Sequence, residues 1–256
     1  MDEALREAGY NMMVLCMQLN EALGQQLIQT AISLSVDGIL YFPYHGNSRH
    51  IDCMLKSKVP FVLLDRWIQG VKADCVRCDD EQGGYLAGKH LLDLGHQKFL
   101  FLSGVEASSS QLDRHRGFMR ALSAAGVPAA NVRTVPGEAV NEAMLGEHFA
   151  PLLEPRDYTA VVAFSDEIAY HALNALRESG ASVPGDVSLI SFDHIRAGIP
   201  YLPRVTSIYA RQGDVSQKGV QLLLRRIENP DLPVQIEMLP VKIYDEGTTA
   251  PPPLQD

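Results

Sequence analysis

Residues 161–194, VVAFSDEIAYHALNALRESGASVPGDVSLISFDH, decide the fold, because strand, helix and strand follow one another there with each boundary marked. Val161–Phe164 is a short apolar run, and the Ser165 and Asp166 that follow carry side-chain oxygens suited to capping a helix. Ala169, Ala172, Leu173 and Leu176 then recur at helical spacing, Gly180 suits a left-handed C-cap, and Pro184 forbids continuation. A second strand runs through Val187–Phe192 and stops at Asp193. In a parallel β-α-β unit the carboxyl ends of the strands open onto the crevice where α/β sheets bind ligands. Ser165, Asp166 and Asp193 are therefore expected on one rim, which suits a polar ligand.

The same alternation extends in both directions. Toward the N-terminus the pattern predicts a helical stub at Asp2–Ala8, a strand at Met12–Met17, a helix at Ala22–Ser35, a strand at Gly38–Phe42 and a helix at Ile51–Lys58. Strands follow at Phe61–Leu64 and Cys75–Cys78, then a helix at Gly84–Leu94 and a strand at Lys98–Ser103, completing one doubly wound half. The second half is predicted to open with a helix at Arg114–Ala125, a strand at Val132–Pro136 and a helix at Ala139–Leu153. After the deciding unit come a strand at Val205–Tyr209, a helix at Val215–Ile227 with Val220, Leu223, Leu224 and Ile227 on one stripe, and a strand at Leu239–Tyr244. The fold class is α/β, with two doubly wound parallel-sheet halves, the usual layout of a hinged ligand-binding protein.

Composition sets bounds on function. With 256 residues, 46% hydrophobic and 21% charged, the chain can bury one large core or two smaller ones. No apolar run approaches the ~20 residues needed to span a bilayer, and residues 1–10 do not read as an export signal. The four cysteines (Cys16, Cys53, Cys75 and Cys78) show no disulfide framework, which fits a reducing cytoplasm. Cys75 and Cys78 form a CxxC, but inside a strand their odd offset sends them to opposite faces, so neither zinc nor redox chemistry is expected and no cofactor or metal is called for. A formal charge of −9 argues against this chain gripping nucleic-acid phosphates by itself. Dinucleotide, phosphate and acyl chemistry each lack their motif (GxGxxG, GxxxxGK[ST], GxSxG), and Asp113 and His115 lie on different faces of a helix, so no catalysis is expected.

Several blocks together resemble the effector-binding region of lactose/galactose-repressor (LacI/GalR) family transcription regulators: DRW at Asp65–Trp67, DDEQGGYLAGKHLLDLGHQKFLFLSG at Asp79–Gly104, RHRGFMRAL at Arg114–Leu122, SDEIAYHALNALRESGASVPGDVSLISFD at Ser165–Asp193, and PRVTSI at Pro203–Ile208. Their order and spacing match over nearly the whole chain. The resemblance implies a periplasmic-binding-protein-like type I fold, with 1–104 plus 211–234 in one subdomain, 105–210 plus 235–249 in the other, and 250–256 as a tail. It also implies a homodimer in the cytoplasm, with DNA bound through an N-terminal helix-turn-helix headpiece and a small effector, a carbohydrate by this reading, taken between the subdomains. This sequence contains neither the headpiece nor the strand that should precede Asp2–Ala8. The expectation is a fragment whose longer form is better folded. The rival reading is a periplasmic sugar-binding protein of a transport system.

A sugar offers vicinal hydroxyls; a carboxylate accepts two such donors and a guanidinium donates two. Asp193 at a strand end and Arg114 at a helix start form such a pair, and both match effector contacts of the family. Ser165 falls where relatives often carry an Asn contact, Asp65 and Arg66 fall at another effector-facing strand end, and Ser110 lies in the crossing between halves. Trp67 suits either stacking on an apolar sugar face or hinge packing, Arg66 either a ligand or a bridge between halves, and Asp166 a helix cap ahead of a contact. No contact is transferred to Tyr209–Gly213, where the spacing slips. Asp245 and Glu246 carry no assigned role, and His90 and His96 read as surface or capping residues.

Overall fold

Ser165 caps the start of a helix as expected, two residues past the end of a strand, accepting the Ile168 N–H on its hydroxyl at 3.5 Å. A computed structural model describes residues 1–17, 20–43, 51–104, 108–146, 148–195, 203–209 and 212–254. In chain order the elements are α1 (Asp2–Glu7), α2 (Glu21–Ser33), β1 (Ile39–Tyr41), α3 (Asp52–Lys56), β2 (Phe61–Leu64), β3 (Asp74–Cys78), α4 (Asp80–Asp93), β4 (Phe99–Leu102) and α5 (Ser109–Ala124). They continue with β5 (Val132–Val135), α6 (Gly137–Leu145), β6 (Ala160–Ala163), α7 (Asp166–Glu178), β7 (Ser188–Phe192), β8 (Thr206–Tyr209), α8 (Gln212–Glu228), β9 (Ile236–Leu239) and β10 (Lys242–Tyr244).

The chain forms two units, Met1–Cys78 with Arg211–Leu239, and Asp79–Ala210 with Pro240–Asp256. In the first, a four-stranded sheet has the order β1-β2-β3-β9, every neighbouring pair parallel. In the second, a six-stranded sheet has the order β10-β8-β7-β6-β4-β5, parallel except for β10 against β8.

Two expected boundaries move. The first lies at Cys78/Asp79 and not after 104, because β4 pairs with β5 and β6 and brings α4 with it into the second unit. The last lies at Leu239/Pro240 and not after 234, because β9 pairs with β3. The single strand expected at Leu239–Tyr244 is thus two strands in different sheets, and Pro240, with no N–H to donate, stands at the break.

Local expectations are corrected as well. Met12–Met17 forms no strand: Met12, Met13, Val14 and Leu15 are exposed, and among the described residues β1 is the last strand on that side of its sheet. β-propensity without a neighbouring ladder leaves backbone groups to water. The helix expected over Ala139–Leu153 stops at Leu145, with Gly146 as its C-cap, and resumes as a single 3-10 turn at Ala150–Leu153. α4 and α5 both begin about a turn earlier than periodicity suggested, each with its own cap: Asp79 accepts from the Gln82 N–H at 3.0 Å and Ser108 from the Gln111 N–H at 3.3 Å.

Alternation builds the second core. Leu100, Leu102, Val161, Ala163 and Leu189 face α6 and α7, whereas Phe99, Phe101, Val162, Ile190 and Phe192 face α4 and α5. Each fully buried Val, Leu, Ile or Phe among them contributes about 1.5–3 kcal/mol. In the first core, Gly219 of α8 lies directly against Leu64 of β2. Arg226 forms a bidentate pair with the buried Asp74 (Nε–Oδ2 2.8 Å, Nη2–Oδ1 2.9 Å), tying α8 to the start of β3.

His96, expected at the surface, is buried. Its Nδ1 meets Thr159 Oγ1 at 2.8 Å and its Nε2 meets Ser188 Oγ at 3.0 Å and Ala250 O at 2.9 Å. Thr248 Oγ1 donates to Leu189 O at 2.6 Å, and His90 Nε2 meets Thr249 Oγ1 at 2.9 Å, so residues 248–250 form a strap along the second unit.

Candidate functional site

Beyond β7 the backbone turns sharply through two consecutive non-glycine residues in the left-handed region, Asp193 (φ 92°) and His194 (φ 50°). Such conformations cost on the order of 1–3 kcal/mol each and persist where surroundings over-determine them. Here three donors are fixed: Asp193 N–H to Ile208 O at 3.0 Å, His194 N–H to Ser207 Oγ at 3.1 Å, and Ile195 N–H to Asp166 Oδ2 at 2.6 Å.

Asp193 faces Arg114 of α5. The guanidinium donates from Nε to Asp80 Oδ1 at 2.7 Å, from Nη1 to Phe164 O at 2.8 Å and from Nη2 to Asp193 Oδ1 at 3.0 Å. Its carbon lies 4.7 Å from the ring centroids of both Phe164 and Phe192. A cation so placed is oriented by charge-assisted hydrogen bonds and by aromatic faces together. The Asp80 and Arg114 side chains are buried at 5% and 8% exposure, while that of Asp193 is 25% exposed and is the member open to solvent. A carboxylate held rigidly against a guanidinium is a ready acceptor for ligand hydroxyls.

Asp166 is not the helix cap. Ser165 caps α7, and the Asp166 carboxylate, buried behind it, accepts from Ser191 Oγ, from Ser207 Oγ at 3.0 Å and from the Ile195 N–H. Burial raises its pKa above 3.8, and the hydrogen bonds from Ser191, Ile195 and Ser207 oppose that shift. His194 stacks on Tyr244 at 4.8 Å and lies 5.4 Å from Tyr209, with Nε2 3.5 Å from Glu246 Oε1. Glu246 also pairs with Arg204 at 3.3 Å. Asp245 accepts from Thr206 Oγ1 and from the Gly247 N–H, both at 3.0 Å, so the acidic pair closes the turn after β10.

The remaining predicted residues divide between the units. Ser110 is buried in α5 with its hydroxyl 3.0 Å from that of Ser108, turned into the helix start. In the first unit, Asp65 is the first residue past β2, again left-handed (φ 69°), with its N–H on Val76 O at 2.8 Å. Arg66 Nε lies 3.7 Å from Asp65 Oδ2, and its Nη1 donates to Pro43 O at 3.3 Å. Trp67 packs, half-buried, on the first core. Residues 210–211, within the segment of shifted spacing, lie outside the described residues.

Sequence reasoning missed Asp80, Phe164, Phe192 and the Asp166 network. A second acidic residue directly after the Asp79 cap is the one local signal for Asp80. Among the described residues no group of three or more His, Cys, Asp or Glu side chains could hold a metal ion, and no helix is long and apolar enough to cross a membrane.

The sequence profile of the periplasmic binding protein-like domain matches residues 89–249. The chain belongs to that family. Among its relatives, the periplasmic binding protein-like chain is 27% identical to the HTH-type transcriptional repressor PurR of Actinobacillus pleuropneumoniae serotype 3 over 227 residues, 89% of this chain and 68% of the relative. It is 26% identical to catabolite control protein A of Priestia megaterium over 241 residues, 94% and 73% of the two chains. Among solved structures, a LacI family transcriptional regulator from Enterococcus faecium with bound ribose superposes with a TM-score of 0.79 at 28% identity, covering 98% of this chain and 91% of that one. The expected α/β fold and the resemblance to LacI/GalR regulators are both borne out.

Proposed function

We propose that this chain is the effector-sensing part of a DNA-binding transcription regulator, and that its effector is a neutral, polyhydroxylated small molecule of the sugar class. The Arg114–Asp193 pair carries the reading: a rigid, partly open carboxylate at a strand end, on a strained turn, beside a guanidinium oriented by Asp80 and two phenylalanines. Bound ribose in the Enterococcus faecium regulator and the regulator names of the sequence relatives support it. Ser165 in the second unit and Asp65, Arg66 and Trp67 at the end of β2 are proposed as further contacts. Ser110, buried against Ser108, would take part only through a rearrangement of the start of α5.

Effector binding shifts a conformational equilibrium, and the shift requires a ligand that prefers one state by a few kcal/mol. In this reading DNA is engaged through a helix-turn-helix headpiece, as the HTH-type repressor relative supports, and the protein acts as a cytoplasmic homodimer without catalysis. The test is a thermal-shift and calorimetric titration with ribose, xylulose and cellobiose, on this chain and on Asp193→Ala and Arg114→Ala. Saturation at a hundred times Kd adds about 2.7 kcal/mol of stability. A shift lost in both variants is expected; a folded protein that none of the three sugars stabilises overturns the sugar reading, and one whose shift survives both substitutions overturns the site.

A further inference from the structure

We propose that Asp166 is a positioning residue for effector binding: its carboxylate sets the geometry of the Arg114–Asp193 pair by holding the turn that presents Asp193. The inference rests on the ligand reading above, but the geometry behind it does not. Asp166 is 2% exposed, and the Asp193 charge acts on it through space. Its carboxylate accepts from the last part of β7 (Ser191 Oγ), from β8 (Ser207 Oγ, 3.0 Å) and from the backbone of Ile195 (2.6 Å). Ser207 in turn accepts the His194 N–H at 3.1 Å, so both residues after Asp193 end, directly or through one hydroxyl, on the same carboxylate.

The chemistry requires a carboxylate. Three donors converge on two oxygens, and the turn they hold contains two left-handed non-glycine residues that would relax without them. An asparagine at this position keeps one acceptor oxygen and turns an N–H₂ toward either the Ile195 N–H or the two hydroxyls, so at least one donor loses its acceptor. Relaxation of the turn swings Asp193 away from a guanidinium that Asp80, Phe164 O and the two rings hold in place.

The test reads the pair without any ligand. A double-mutant cycle with Arg114→Ala and Asp193→Ala is measured by urea unfolding in the natural background and again in Asp166→Asn, with amide exchange of His194, Ile195 and, as control, Ile190 in mid-strand. In the natural background the pair is expected to couple by about tenfold in the unfolding constant. In Asp166→Asn the coupling should drop below about threefold, with exchange at His194 and Ile195 faster by tenfold or more relative to Ile190. Unchanged coupling alongside a uniform loss of stability would show Asp166 to be part of the scaffold only, and overturns the proposal. If Asp166→Asn does not fold, the milder Ser207→Ala, which removes the relay to His194 alone, is read in the same cycle by the same criteria. A ribose titration of the natural chain is run in parallel. Coupling that depends on Asp166 in a protein that binds no sugar counts against the ligand reading and not against the positioning role.

Discussion

Gly84 of α4 and Gly117 of α5 meet where the two helices touch backbone to backbone. A β-carbon on Gly84 would lie 1.9 Å from Arg114 O, and one on Gly117 would lie 1.9 Å from Glu81 O. The contact fixes the height of α5 against α4, and with it the approach of Arg114 to Asp80. Gly84→Ala or Gly117→Ala gains up to about 1 kcal/mol of helix propensity but forces the helices apart, an overpacking cost of about 1–3 kcal/mol or more. Both variants are expected to melt several degrees lower by circular dichroism, and equal or higher melting would refute the close contact.

Arg114→Leu takes the guanidinium away from the Asp80 carboxylate, buried at 5% exposure. Removing one partner of a buried pair costs about 3–5 kcal/mol, so this variant should lose a large part of the stability of its unit in urea unfolding. Arg114→Lys should recover little, since an ammonium point charge cannot serve three acceptors in a plane and lie between two rings.

His96 and His115 both have pKa values held below the ordinary 6.5 by burial, with the Ala250 carbonyl acting the other way at His96. A depressed histidine means that the unfolded chain binds more protons, so this stability is fully present above pH 6.5 and is lost as pH falls from there toward the folded-state values. Melting temperature should therefore drop between pH 7 and pH 5. In the double variant His96→Asn/His115→Asn that drop should shrink, and an identical pH profile would rule both histidines out as its source.

The Cys75 thiol is pushed up to about 11, chiefly by burial, and Cys78 is buried as well, while Cys16 is exposed. Thiol labelling of the native protein should modify Cys16 quickly and leave Cys75 and Cys78 until the chain unfolds. Fast labelling of Cys75 would show that β3 opens in the native state.

Asp74→Asn breaks the bidentate pair with Arg226, which also caps the carbonyls of Pro230 and Pro233. About 3 kcal/mol of destabilisation is expected, little reduced by 0.5 M salt because Asp74 is shielded from solvent. A change under about 0.5 kcal/mol would mark the pair as dispensable.

What could be read from the chain was what neighbouring residues decide. Val161–His194 was legible because each strand end, cap and breaker lies within a few positions of the element it governs. Membership of α4 in the second unit was not, since it depends on β4 pairing with β5 and β6 across the intervening helices. The Asp166 network was hidden for the same reason: its hydroxyl donors lie 25 and 41 residues away, and Ser165 beside it has an equally good capping side chain. Arg114 and Asp193 were found as chemistry suited to a ligand, but the rings of Phe164 and Phe192 looked like ordinary strand ends. His96 follows a helix-ending glycine, a surface signature, and its partners Thr159, Ser188 and Ala250 lie 63, 92 and 154 residues away.

β9 completes the first sheet beside β3, and the strap of 248–250 locks β7 and His96 in the second. Neither unit is a continuous stretch of polypeptide. A ribosome that has delivered everything up to β8 has finished neither one, so the early unit gains no head start from being made first. Both must wait for the stretch from β9 to residue 250, a matter of seconds at about 5–20 residues per second, with open sheet edges exposed to chaperones in the meantime.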